Sequence, residues 1–159
     1  MAHSTERRRF DSLEQEAYLN LWRTYDSLKS LEDELFAPIG ISPQQYNALR
    51  LLKAALPGTL TVQGLGGRLI SRAPDMTRML DRLEDRGWIR RQRRADNRRV
   101  VDVAISENGL ALLKQLGPGV RDCHHRQLGH LAPQQLQQLV ALLEQARSAL
   151  EPEQTDAQG

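Results

Sequence analysis

Cysteine is almost missing from this sequence. Cys123 is the only one in 159 residues, so no intramolecular disulfide can form, and a reducing, cytoplasmic setting is expected. No apolar run approaches the roughly 20 residues that a membrane-crossing helix needs. The first ten residues, MAHSTERRRF, are polar and lack the hydrophobic stretch of a signal peptide, which again leads us to expect the cytoplasm and no membrane partner. Repeats and low-complexity tracts are missing too. So are the patterns of common catalytic sites, GxSxG, a Gly-rich phosphate loop and HExxH, so neither an enzyme nor a bound cofactor is expected. With 40% hydrophobic and 26% charged residues, a chain of this length is expected to make one folded domain.

Lysine is missing from one segment, and that gap is informative. Between Arg68 and Arg99 there are eleven arginines and no lysine, against the five acids Asp75, Asp81, Glu84, Asp85 and Asp96. That segment balances at +6, while the rest of the chain balances at −4, so the formal net charge of +2 hides a strong segregation. A compact basic stretch in an otherwise acidic chain is what a phosphate-binding surface requires, because each neutralised phosphate releases condensed counterions. The simpler reading is a solvated charged face, although surfaces of that kind usually mix signs and include lysine.

Apolar spacing sets the organisation. Leu13, Ala17, Leu21, Leu28, Leu31 and Leu35 return to one side of a long helix over 11–36, with Tyr18, Trp22 and Tyr25 beside them, until Pro38 and Gly40 stop it. Ser42-Pro43 opens a second helix with Tyr46, Leu49, Leu52 and Leu56 on its buried stripe, closed by Pro57-Gly58. A very short strand at 59–61 precedes a short helix over 63–70. Its Gly64, Gly66 and Gly67 each disfavour helix by about 1 kcal/mol relative to Ala, so tertiary packing must hold it.

The spacing then predicts a helix over 71–86, entered through Ser71 and Pro74. Met76, Leu80 and Leu83 form its buried side, with Arg72, Asp75, Arg78, Arg82 and Arg86 outside. Strands over 88–93 and 100–105 flank a hairpin tip at Arg94-Ala95-Asp96-Asn97-Arg98-Arg99. Ser106 caps a further helix carrying Leu110, Leu113, Leu116 and Val120, expected to bend at Gly117-Pro118-Gly119. A last helix runs from Pro133 to Leu150, and a polar tail over 151–159 is expected to be disordered. The terminal apolar stripes need a partner surface.

A duplex major groove admits one α-helix and presents a distinct donor and acceptor pattern at each base edge, which Arg, Asn or Gln can read. The first turns of the 71–86 helix (Arg72, Pro74, Asp75, Thr77, Arg78) are expected at base edges, and Arg82 and Arg86 at phosphates. Arg98 and Arg99 at the hairpin tip can enter a neighbouring minor groove, with Asp96 orienting one of them. Arg90, Arg91, Arg93 and Arg94 flank the hairpin and are expected on the phosphate backbone.

The stretch TRMLDRLEDRGWIRRQRRADNRRVVDVAISENG, Thr77 to Gly109, resembles the recognition helix, wing and following helix of the multiple antibiotic resistance regulator (MarR) family. The resemblance implies a mainly α (α+β) winged helix-turn-helix over 42–105, with N- and C-terminal dimerisation helices over 11–36 and 107–150. It further implies a homodimer on a palindromic operator of double-stranded DNA, usually repressing until a small-molecule effector or an oxidant releases it. Carried over by motif, the reading positions are Arg72, Pro74, Asp75, Thr77 and Arg78, and the wing positions Asp96, Arg98 and Arg99, with Asn97 between. Where many relatives place an acid directly before two arginines, Asn97 here separates Asp96 from Arg98.

Other features admit two readings. Cys123, beside His124 and His125, is a redox switch or an incidental thiol on a helix. With His130 these side chains lack the spacing of a metal site on one helix face, so no metal is expected. Tyr18, Trp22 and Tyr25 line an effector pocket or belong to a core. A winged-helix module that binds protein rather than DNA is the alternative function, and a redox-responsive regulator acting through Cys123 is another.

Overall fold

The computed structural model describes residues 10–151. The polar N-terminus up to residue 9 and the expected tail beyond Glu151 lie outside the described residues. The elements are α1 (Leu13–Phe36), a 3₁₀ turn (Ala37–Ile39), α2 (Pro43–Ala55), β1 (Leu60–Thr61), α3 (Val62–Arg68), α4 (Met76–Asp85), β2 (Ile89–Arg93), β3 (Val101–Ile105), α5 (Glu107–Leu128) and α6 (Pro133–Ser148). This is the expected mainly helical α+β plan. Where the sequence suggested one folded unit, the chain divides into two compact ones, Met1–Val120 and Arg121–Gly159, with the boundary inside α5.

In the first unit, Ser12 caps α1 by accepting from the Gln15 amide at 3.1 Å. The helix delivers Phe36 into the core, where it meets the Tyr46 ring at 5.0 Å. Gly40 then takes φ +70, a left-handed turn open to glycine without a Cβ penalty. Ser42 and Gln45 form a reciprocal capping box at the head of α2, with Pro43 at its first position.

The sheet is antiparallel in the order β1-β3-β2, with Leu60 opposite Val103 and Arg91 also opposite Val103 across the other side. Leu49 and Leu52 of α2, Leu65 of α3, Leu80 and Leu83 of α4, Ile89 of β2 and Val103 of β3 are essentially water-free. Each such side chain contributes about 1.5–3 kcal/mol by leaving water, so this seven-residue knot fixes α3, α4 and the hairpin on α2.

The glycine-rich α3 forms in spite of its composition. Thr61 Oγ1 accepts from the Gly64 amide at 2.9 Å, and Leu65 is fully buried. The Cβ of a residue at Gly66 would meet Met76 only at ordinary contact distance, and at Gly67 it would meet nothing. Packing through Leu65 therefore holds the helix, and no close approach demands glycine at positions 66 and 67.

In the second unit, Cys123 and Gln127 are buried, and His124 Nδ1 lies 2.8 Å from Gln127 Oε1. α6 opens at Pro133, where Gln135 Oε1 accepts from the Ala132 amide at 2.8 Å. It ends at Ser148, two residues short of the expected Leu150, which is 85% exposed. α5 runs as one helix through Pro118.

Candidate nucleic-acid interface

The basic segment is built on α4, and α4 begins later than its sequence suggests. Its first helical residue is Met76, not Ser71. Two local forces set that start. Pro74 disfavours helical backbone at Ala73, and Asp75, in a non-helical conformation, accepts from the Arg78 amide at 2.9 Å. Arg72 and Pro74 consequently sit on the connection before the helix, and the Asp75 carboxylate is committed to the cap. Two α2 side chains that sequence reasoning missed brace this connection: Gln44 Nε2 donates to the Ser71 carbonyl at 2.9 Å, and the Ile70 amide donates to Asn47 Oδ1 at 3.1 Å.

Met79, Leu80 and Leu83 bury one side of α4, with Met76 only partly covered. The other side carries Thr77, Arg78 and Arg82 into solvent. At the C-terminal end Gly87 adopts φ +74, its amide donates to the Glu84 carbonyl at 2.8 Å, and the Trp88 amide donates to the Leu83 carbonyl at 3.0 Å. This paired closure satisfies carbonyls that the end of a helix leaves open. Arg86, expected on phosphate, instead lies 4.2 Å over the Trp88 ring and donates to the Ile39 carbonyl at 3.0 Å.

The hairpin of β2 and β3 projects a tip closed by two backbone bonds at 3.0 Å, Arg94 amide to Val100 carbonyl and Val100 amide to Asn97 carbonyl. Asn97 Oδ1 also accepts from the Arg99 amide at 3.2 Å. Arg94 grips Asp102 through Nε at 2.8 Å and Nη2 at 3.0 Å. That bidentate hydrogen bond, with the attraction of the guanidinium, holds the Asp102 carboxyl below the usual carboxylate range and raises the Arg94 pKa in turn. Arg93 Nη1 donates to the Arg98 carbonyl at 2.9 Å, and Arg91 is paired with Asp81 and Glu84 of α4. Of the hairpin arginines expected on the phosphate backbone, Arg91, Arg93 and Arg94 thus have partners within the chain. The carboxylate that orients a wing arginine at close range is Asp102, on Arg94.

The guanidinium groups of Arg72, Arg78, Arg82, Arg98 and Arg99 are exposed and make no hydrogen bond or ion pair among the described residues. Thr77 of α4 and Arg99 of the wing line one cleft of about 490 Å³ with Thr61, Gln63, Arg91 and Arg93. The helix that starts at Met76 and the hairpin tip therefore stand side by side.

Elsewhere, Tyr18, Trp22 and Tyr25 are each about 60% exposed, and Trp22 with Leu19 and Asn20 borders an open depression along α1. The first two rings lie 6.0 Å apart. In the single chain they are neither core nor an enclosed pocket. Cys123 is buried at 4% exposure. Among the described residues no three His, Cys, Asp or Glu side chains group as metal ligands, and no helix is long and apolar enough to cross a membrane.

The MarR family model matches residues 41–101, the span from the head of α2 to the start of β3. A MarR transcription factor from Planctomyces limnophilus is 53% identical, with 86% of this chain and 99% of that one covered and a TM-score of 0.69. The chain belongs to the MarR family. This MarR-family regulator is also 25% identical to a mutant MarR from Escherichia coli complexed with operator DNA, covering 85% of this chain and 98% of that one with a TM-score of 0.74. The transcriptional repressor MprA of Escherichia coli is 27% identical over 117 residues, 74% of this chain and 66% of that repressor. The winged helix-turn-helix expected from the Thr77–Gly109 stretch is the fold observed.

Proposed function

We propose that this MarR-family regulator is a homodimeric repressor, reading a palindromic operator with α4 in the major groove and the wing in the adjacent minor groove, and released by a small-molecule effector. One observation carries the reading. Thr77 and Arg99 line one cleft, and Arg78 and Arg98 beside them keep their guanidinium groups exposed and uncommitted. Fork-shaped donors at the head of a helix fit guanine edges, and donors at a hairpin tip fit a narrow minor groove. Arg72, Pro74, Thr77 and Arg78 would lie deepest, Arg82 at the backbone, Arg98 or Arg99 in the minor groove, with Arg94, Asp96 and Asn97 shaping the tip.

Leu13, Leu21, Trp22 and Tyr25, exposed along α1, support a second copy as the surface that covers them. Two copies place two reading helices on half-sites about 34 Å apart. The same aromatic residues are the candidates for an effector site once two chains have met. The repressor reading draws on the name of MprA.

The test is a fluorescence-anisotropy titration of DNA from the region upstream of the gene, with light scattering on the free protein. Tight sequence-selective binding, a solution mass twice the 18.0 kDa chain and reduced transcription of a reporter are expected. A protein that binds every duplex equally, even at low salt, would overturn the reading.

A further inference from the structure

We infer that Arg91 is a positioning residue that sets the angle of the wing against α4, rather than one of the phosphate contacts its place in the basic segment suggests. The inference rests on the DNA-binding reading above and deepens it, by naming what holds the two reading elements in register.

Arg91 is bound to α4 through four contacts. Its Nη2 lies 2.6 Å from Asp81 Oδ1 and 3.3 Å from Glu84 Oε1, its Nε lies 3.3 Å from Glu84 Oε2, and its backbone amide donates to the same Oε2 at 2.9 Å. Asp81 and Glu84 are three residues apart, so their carboxylates stand one above the other on one helix face. The planar guanidinium spans that pair as a lysine ammonium could not. The side chain is 23% exposed, the least exposed member of the trio, and the hydrogen bond it donates to Glu84 raises its pKa.

β2 is an edge strand, so its outward amides have no ladder partner, and Glu84 fills that role at Arg91. The bond therefore fastens backbone, not only side chain. From Arg91 to Arg94 the strand advances about 10 Å, and the tip reaches farther still. A tilt of about 10° at Arg91 moves the tip by some 2–3 Å, enough to take an inserted guanidinium out of hydrogen-bonding range.

Electrostatics and positioning predict opposite outcomes for one variant, which makes the inference testable. Asp81→Asn with Glu84→Gln removes two negative charges from the DNA-facing unit and frees Arg91. If Arg91 serves phosphates, the full-length variant binds every duplex more tightly. If Arg91 is a strut, affinity for the selective site falls about tenfold or more, while affinity for a scrambled duplex of equal length stays level or rises. Salt titration adds a second reading: Arg91→Ala leaves the slope of log K on log salt unchanged for a strut and lowers it by about 1 for a phosphate contact.

Hydrogen exchange on the free double variant separates failure of this inference from failure of the DNA reading. Faster exchange across residues 89–105, with α2 unchanged, shows that the two carboxylates hold the hairpin and that the fold is intact. Unaltered exchange in the hairpin, or a gain in selective affinity, overturns it. A wild-type protein with no selective DNA binding instead overturns the DNA reading alone.

Discussion

Asp75 acts on DNA binding in two opposed ways, and substitutions can separate them. Its Oδ1 holds the Arg78 amide at 2.9 Å, and the residues before it are not helical, so the first turn of α4 depends on this cap. Loss of such a cap costs about 1 kcal/mol, or roughly a fivefold shift in an equilibrium. Its charge, meanwhile, repels the phosphates of any bound duplex. Asp75→Ala removes cap and charge together, whereas Asp75→Asn removes the charge and keeps an equally good capping oxygen.

Both variants should therefore bind a scrambled duplex equally, and more tightly than the wild type. On the selective site Asp75→Ala should be about fivefold weaker than Asp75→Asn, because the turn carrying Thr77 and Arg78 frays and must be ordered on binding. The free Asp75→Ala protein should also melt about 2–4 °C below Asp75→Asn. Anisotropy titrations at one fixed salt concentration decide the matter. Equal affinities of the two variants for the selective site would refute the claim that the cap holds the reading turn.

Arg78→Ala should weaken the selective site by about 1–3 kcal/mol and leave the solution mass unchanged; an equal loss on every sequence would mark Arg78 as a phosphate contact instead. Asp102 titrates lower in the folded chain than in the unfolded one because Arg94 holds it, so the pair is intact at neutral pH and lost as pH falls below the ordinary carboxylate range of about 4. The Arg94 Nε–H resonance should move over that acid window and show no such step in Asp102→Asn. Leu80→Ala, at a position 1% exposed, should cost about 2–5 kcal/mol in urea unfolding, since the void lies inside the buried apolar cluster.

Much of this architecture can be read from the sequence, because apolar period and punctuation act locally. Ser42-Pro43, Ser106 and Gly87 each sit where a helix begins or ends, and alternation of Val101, Val103 and Ile105 marks β3. The start of α4 was also legible: a residue before proline resists helix, and an aspartate three before Arg78 is placed to cap it. Arg72 made the helix look longer by keeping the right spacing without the right backbone. The glycines of α3 argued for fraying by propensity, but Leu65 and the Thr61 cap outweighed them.

What the sequence concealed is the division of labour among its arginines, since every guanidinium looks alike until its neighbours are known. Arg94 and Asp102 are eight residues apart, and only the hairpin register brings them together. Gln92 lies opposite Asp102, which leaves Arg94, two residues further on, diagonal to Asp102 on the same face of the ribbon. Arg91 meets Glu84 through the turn at Gly87, whose left-handed conformation folds β2 back beside α4.

The count of eleven arginines therefore overstates the donors available to DNA. Arg91 and Arg94 are neutralised by Glu84, Asp81 and Asp102, and Arg86 and Arg93 donate to backbone carbonyls. What the head of α4 and the tip of the wing offer uncommitted is a smaller set, Arg72, Arg78, Arg82, Arg98 and Arg99, carried on a frame made from Arg86, Arg91, Arg93 and Arg94. A regulator built in this way commits four of the eleven arginines of its basic segment to geometry, and its selectivity should depend on Asp81 and Glu84, two residues whose charge alone would count against DNA binding.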